Sequence, residues 1–345
     1  MYKTEEITPS EWEIFQKKQS FTLDVQSVEY GNFYTSINEK SIYIAVKDAN
    51  NNILAGSLVV SVHAKRGDFL YLPYGPIVNE DTKKDQQLNI FKSFFSHLKH
   101  YGKQHSYAFI RISPFWDNTK ENQLLLNTLG LRPAPMHVLA ETTWLNNLNR
   151  TETELFSAMN KNHRNLIRRL EREGVQTKTF TDSKNLEMFQ DLLDETAKRH
   201  HFIRFSRSYI TREFQAYEAS GKARLILGYL PDGTLDAGAI IYLHGSMAAY
   251  RHGASLGQNK RLPVSYLVQW QGIREAQKQG KIWYNFWGIA PNDKSKKHPF
   301  LGITHFKKGF GGQQKDLVHC HDLPISNRYW ISWIIETVRK TKRGF

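Results

Sequence analysis

The feature that most restricts the fold is a pattern written twice. In the first half, an extended run FLYLPYGPIV leads through Gly75 into QQLNIFKSFFSHLKHYGKQ. There Leu88, Phe91, Phe94, Phe95 and Leu98 recur at helical spacing, Gly102 closes the helix, and SYAFIRISPF returns as a strand. In the second half MAAYRHGAS is extended and GQNKR is a polar loop. Pro263 suits the first turn of a helix over VSYLVQWQGIREAQKQ, Gly280 stops it, and KIWYNFWGI returns as an aromatic strand. Gly75 and Phe109 are 34 residues apart, and Gly253 and Phe286 are 33 apart. The repeat is one of pattern rather than identity, and it predicts an α/β or α+β sheet in each half.

Around this repeat, SIYIAVKDANNNILAGSLVVSVHA reads as a hairpin turning at Asp48 to Asn52. Pro73 and Pro76 put FLYLPYGPIV at an edge or a bend. WLNNLNRT, with its Asn cluster, reads as the boundary between halves. A helix is predicted from Thr151 to Glu173, stopped by Gly174, with a strand from Val175 to Phe180. On that helix Lys161, Arg164, Arg168 and Arg172 fall within roughly 80° of one another at ~100° per residue. Leu166, Ile167 and Leu170 form its buried side. A solvated basic face and a phosphate-binding ridge remain equal readings; Arg at three of the four positions suits forked phosphate contacts.

Forty-seven Lys and Arg against 33 Asp and Glu leave a formal charge of +14, which predicts affinity for polyanions: nucleic acid, anionic lipid or phosphorylated substrates. One cysteine, Cys320, excludes an intramolecular disulfide and fits a reducing compartment. The N-terminal segment lacks the apolar core of a signal peptide, and no apolar run approaches ~18 residues. The expectation is a cytoplasmic protein. His319-Cys320-His321 invites a metal reading, but on a strand the histidines face one side and Cys320 the other, so no metal is expected. His200-His201 reads as a helix end. Phosphate-loop, dinucleotide and nucleophile-elbow signatures are absent. What remains is electrostatic chemistry, such as acyl transfer to an amine, in which a fixed cation meets the oxyanion.

Four segments then resemble the Fem family of aminoacyl-tRNA-dependent peptidoglycan aminoacyltransferases: DVQSVEYGNF, FSAMNKNHRNLIRRLEREGVQTK, YNFWGIAPN and HFKKGFGG. In the family these correspond to an early Gln-Ser and Tyr-Gly-x-Phe segment, the helix opening the second domain, a Trp-Gly-Ile-x-Pro strand end and a Phe-Lys-x-Gly-Phe-Gly signature. The resemblance covers nearly the whole chain. It implies two tandem acetyltransferase-like (GNAT-like) domains, residues 1–145 with 317–345 and residues 146–316, the tail returning to the first domain. It also implies a transfer site at Phe306 and Lys307, the lysine stabilising the oxyanion or the leaving ester oxygen. Tyr250 and Arg207 would contact the precursor, and the ridge of Lys161, Arg164, Arg168 and Arg172 would hold tRNA.

The implied partners are aminoacyl-tRNA and a muramyl-pentapeptide acceptor, either UDP-MurNAc-pentapeptide or lipid II. No metal or organic cofactor is implied, because the ester is already activated, and a monomer is expected. Two departures stand out. Ser113 occupies the place of an Asp that often precedes the family's proline, and no long heptad segment separates Glu195 from Arg207, which marks a compact, armless type. Two rival readings remain: an acyl-CoA-dependent N-acyltransferase, which would want a [Q/R]xxGxG/A loop where GQNKRLPVSY stands, and a non-catalytic RNA-binding protein. In the tail RYWISWIIETVRKTKRGF, Trp330, Trp333, Ile334 and Val338 share a helical face followed by basic residues. That face suits docking on the first domain or peripheral contact with the inner membrane surface.

Overall fold

The computed structural model describes residues 2–64, 67–291 and 300–343; Asn292, which ends YNFWGIAPN, and the last two residues of the tail lie outside them. Contacts divide the chain into two units, Met1–Glu141 with Asp316–Phe345, and Thr142–Lys315. The first unit contains β1 (Lys3–Ile7), α1 (Pro9–Lys17), α2 (Val28–Ser36), β2 (Ser41–Lys47), β3 (Ile53–Val62), β4 (Phe69–Tyr74), β5 (Ile77–Val78), α3 (Lys84–Gln104), β6 (Phe109–Pro114), α4 (Lys120–Thr128) and β7 (Arg132–Pro133). The second holds β8 (Thr142–Asn147), α5 (Glu152–Ala158), α6 (Lys161–Arg172), β9 (Gln176–Phe180), α7 (Leu186–His200), α8 (Arg207–Glu218), β10 (Ala223–Tyr229), β11 (Leu235–His244), β12 (Met247–Ser255), α9 (Ser265–Lys278), β13 (Trp283–Gly288), α10 (Leu301–Lys308) and β14 (Gln313–Asp316). The chain then returns to the first unit as β15 (His321–Pro324) and α11 (Tyr329–Arg343).

The duplicated sequence pattern becomes duplicated topology. The first sheet runs β1-β2-β3-β4-β6-β15-β7, with β5 on β3, and the second runs β14-β8-β13-β12-β11-β10-β9. In each, antiparallel strands lead to one parallel pair, β4 with β6 and β12 with β13, joined by the crossover helix α3 or α9. In each, the next strand comes from a distant part of the chain: β15 beside β6, β8 beside β13. Helices cover both faces of the second sheet. A Cβ on Gly228 would come within 2.5 Å of Val264 and Val268 around the start of α9, and one on Gly238 within 2.9 Å of Phe189 on α7. Missing side chains thus let both helices seat closely.

Several local expectations need correction. Of the edge and bend readings of FLYLPYGPIV the bend holds, since Tyr74 takes φ +55° between β4 and β5, but β4 is interior: β3 leaves it after the Val60–Tyr71 pair, so the absent N–H of Pro73 interrupts no β3–β4 ladder. Gly102 does not stop α3, which runs to Gln104; its Cβ would lie 2.4 Å from Ile325, so this glycine serves close packing. The predicted helix from Thr151 to Glu173 is two helices, broken where Asn160 turns extended and its Oδ1 accepts the His163 N–H at 2.8 Å. The first half of WLNNLNRT, Trp144 to Asn147, is strand: it belongs to β8, which pairs with β13 from Thr143–Gly288 to Asn147–Trp283. The expected boundary at residue 145 therefore falls inside a strand.

Cys320 is buried, and its thiol is pushed up to about 12 by that burial. Ser113 donates to its Sγ at 3.4 Å and lies 3.2 Å from the Tyr71 hydroxyl, so the position where the family often carries a carboxylate is a buried hydroxyl here. Cys320 should alkylate with iodoacetamide at least ~100-fold more slowly in the folded protein than in urea, as read by mass spectrometry.

Candidate active site

The two parallel pairs differ in one respect that matters. β4 and β6 stay paired over six residues, from Phe69–Phe109 to Tyr74–Pro114. β12 and β13 pair only from Met247–Trp283 to Ala249–Asn285 and then part. On the β12 side the ladder with β11 skips Arg251, which bulges between Tyr250 and His252. On the β13 side Asn285 Oδ1 accepts the Trp287 N–H and the Thr143 hydroxyl, both at 2.8 Å, and Trp287 takes φ +61°. Beyond this kink Gly288 still pairs with Thr143 of β8, while the β12 ladder has ended at Asn285.

The Gly288 carbonyl is met by a lysine. HFKKGFGG is not a basic turn: its lysines form the last turn of α10, and they have different fates. Lys307 is 5% exposed, and its Nζ donates to the Gly288 oxygen at 2.7 Å. No carboxylate pairs with it among the described residues, and burial lowers its pKa to about 7. Lys308 lies over the Trp144 ring, 5.2 Å from its centroid. An amine poised between charged and neutral at the parted end of two strands can stabilise an oxyanion and can pass a proton to a leaving oxygen.

Helix α10 is held from below by α6. His163 Nε2 lies 2.9 Å from the Phe306 carbonyl and Nδ1 lies 2.8 Å from Asn160 Oδ1; burial lowers the pKa of the ring. Tyr266, Phe306 and Phe310 pack around this imidazole. The glycines of GFGG now have distinct reasons. Gly309 passes directly over His163, where a Cβ would be 2.0 Å from the ring. Gly312 has φ +109° and runs 2.3 Å, at the Cβ position, from the Leu145 carbonyl of β8. Gly309→Ala should destabilise the second unit by about 2–3 kcal/mol. Adding His163→Ala should recover part of that loss, a coupling measurable by urea unfolding of the four proteins in the cycle.

The structure distributes the other sequence candidates unevenly. Tyr250 and Phe306 pack against one core cluster that contains Tyr284, Phe286 and Phe310, and burial pushes the Tyr250 hydroxyl up to about 12. Arg207 starts α8 and forks onto Glu187 at 2.7 Å, Asp191 at 2.6 Å and Asp194, so its charge is already met by α7. The basic ridge is divided. Arg164 donates to the Ser157 and Met159 carbonyls at the end of α5, and Arg168 lies over Phe156, whereas Lys161 and Arg172 point outward. Leu166 is only half-buried; His163, Ile167 and Leu170 form the inner side.

Two constellations escaped the sequence. One is the Asn160–His163 brace under Phe306, hidden because the chain read as one continuous helix; an Asn three residues before the His was the available signal. The other is Glu213 of α8, fully buried, which binds Arg251 Nε at 2.9 Å and His252 Nε2 at 2.6 Å and so clamps the β12 bulge. Arg251 also stacks on Trp287, 4.8 Å away. As for the His319 run, His319 is engaged by Glu141 at 2.6 Å and the Ala134 carbonyl at 2.8 Å, and His321 Nδ1 faces the His319 carbonyl. No group of three metal-ligating side chains occurs among the described residues.

An antiparallel sheet ending in a helix-linked parallel pair, present twice, with the strands of the second pair parting, defines a tandem acetyltransferase-like protein. Solved structures agree: FemX superposes with a TM-score of 0.83 at 16% identity, covering 97% of this chain and all of that one. A tandem GNAT protein from the clavulanic acid biosynthesis pathway gives 0.57 at 9% identity, covering 94% and 99%. L-PGS from Bacillus licheniformis gives 0.57 at 14%, covering 97% and 98%.

The chain belongs to the FemAB family, whose model matches residues 7–126, 134–232 and 231–337. It is similar to aminoacyltransferase FemA of Staphylococcus epidermidis, 19% identical over 98% of this chain and 99% of that protein, and to FemB of the same species, 18% identical over the same shares. It is thus an aminoacyltransferase of peptidoglycan bridge formation. It is of the compact type, since α7 and α8 are joined by residues 201–206 alone.

Proposed function

We propose that this protein transfers an amino acid from charged tRNA to the stem-peptide amine of a muramyl-pentapeptide, nucleotide-linked or lipid-linked, at the parted ends of β12 and β13. The observation that carries this reading is Lys307: a buried lysine with a carbonyl for a partner and a pKa lowered to about 7. The acceptor amine attacks the ester carbonyl carbon, forming the C–N bond and an oxyanion beside the Lys307 ammonium. The bond to the ribose oxygen then breaks. That oxygen takes a proton from Lys307, which is restored by the proton the amine sheds. Phe306 lines the approach, Tyr250 contacts the precursor, and Lys161 and Arg172 steer the tRNA backbone together with the +14 charge.

Acyl-CoA is disfavoured as the donor by the entrance to α9. The amides of Arg261 and Leu262, in the loop where a diphosphate would sit, donate to Asn259 Oδ1 at 2.9 and 3.2 Å. Incubating the protein with a radiolabelled total charged-tRNA pool and UDP-MurNAc-pentapeptide or lipid II, with and without RNase, tests the reading. RNase-sensitive label on either acceptor supports it and identifies the amino acid. Absence of label on both, with label appearing from acyl-CoA, would overturn it.

A further inference from the structure

The tail helix α11 does two things at once. One face docks: Tyr329, Ser332 and Glu336 are buried, Tyr329 packs on Phe109, and Glu336 joins Asp322 on the buried Arg111. At ~100° per residue these three lie within roughly 60° of one another. Directly across the helix, Trp330, Ile331, Ile334 and Val338 lie within roughly 100° of one another and are 42–56% exposed. Trp333, which the sequence grouped with them, instead turns half-buried toward the cluster of Ala108, Phe109 and Tyr329. Docking and an outward apolar strip are therefore compatible, because opposite faces serve them.

The charges around the strip have one sign. Arg339 and Lys340 are exposed on either side of it, Arg328 is exposed at the helix start, and Arg132 of β7 lies over the Trp330 ring, 4.8 Å away. The one carboxylate of the helix, Glu336, is turned inward onto Arg111. A second copy of the chain would bring a second set of these cations against the first. An apolar strip rimmed by cations matches the acyl boundary and phosphates of an anionic bilayer. No helix among the described residues is long and apolar enough to cross a membrane.

We infer that α11 lays Trp330, Ile331, Ile334 and Val338 onto an anionic lipid surface, holding the first unit at the membrane through residues that are not those of the candidate active site. This does not rest on the reaction proposed above, and vesicles free of cell-wall precursor test it alone.

The full-length protein should co-sediment with phosphatidylglycerol vesicles at low salt, at least ~10-fold more strongly than with phosphatidylcholine vesicles, and release as salt rises. Ile331→Gln/Ile334→Gln/Val338→Gln should weaken binding ~10-fold or more with little change in the urea midpoint, because these side chains are half exposed in the folded protein. Arg339→Glu/Lys340→Glu should weaken it specifically for the anionic vesicles. Failure of the wild type to bind phosphatidylglycerol, or equal binding by both variants and wild type, overturns the inference. So does a dimer by light scattering that only the glutamine variant dissolves, since the strip would then belong to a second copy.

Discussion

Lys307→Met will stabilise the folded protein at pH 6 and slow transfer severely. The folded Lys307 loses its proton near pH 7, whereas the unfolded chain keeps it to about 10.5. Between those values the unfolded state holds a proton the folded state lacks, so the stability involving this lysine rises with pH through the window. It falls as pH drops from about 10.5 to about 7, and below that the full penalty for a buried, uncompensated ammonium remains. A shift of this size corresponds to at most roughly 5 kcal/mol. Methionine fills similar space without charge but gives up the bond to the Gly288 carbonyl, so the net gain should be about 1–3 kcal/mol at pH 6 and shrink toward pH 10. Urea midpoints at the two pH values check this. The same variant should lose ~10²–10⁴-fold in transfer rate while binding charged tRNA as before. A variant less stable than wild type at pH 6 would mean that the buried Lys307 ammonium is compensated.

Arg111→Met is expected to be the most damaging single change in the first unit. The guanidinium binds Asp322 through two bonds of 2.7 and 2.9 Å and Glu336 through two of 3.1 and 2.8 Å, stacked against the rings of Phe69 and Phe109. Its removal strands two buried carboxylates, at a cost of about 3–5 kcal/mol, and α11 should become accessible to protease. Burial already raises the pKa of Asp322 despite the arginine, so the orphaned acid will take up a proton rather than stay charged. The triple change Arg111→Met, Asp322→Leu, Glu336→Leu should restore most of the stability, because an apolar set of similar volume has no charges to desolvate. Limited proteolysis and urea unfolding distinguish the two variants.

Elements governed by local chemistry were legible in the sequence. The hairpin turn at Asp48 to Asn52 is fixed by Asp48 accepting the amides of Asn50 and Asn52, and the second crossover helix ends where Gly280 takes φ +69°. The repeated strand, helix and strand are periodicity made visible. What escaped depends on partners distant in the chain. Half of an Asn-rich stretch becomes β8 because β13 offers it a ladder, and Gly102 sits inside the last turn of α3 because Ile325, more than two hundred residues later, needs the space. For the site, the motif directed attention to Phe306 and Lys307. The burial of Lys307, the parting of β12 from β13 and the His163 brace exist only once α6, α10 and β13 are assembled. Adjacent lysines look alike in sequence, and only packing separates the buried Lys307 from Lys308 over Trp144.

The account turns on Lys307 acting at the transfer step. The direct measurement is mass spectrometry of UDP-MurNAc-pentapeptide, or of lipid II, after incubation with one purified aminoacyl-tRNA and either wild type or Lys307→Met, with the tRNA affinity of both proteins measured in parallel. The expected result is an acceptor heavier by an aminoacyl residue with the wild type and unchanged with the variant, at matched tRNA affinity. Transfer by Lys307→Met at the wild-type rate would contradict it.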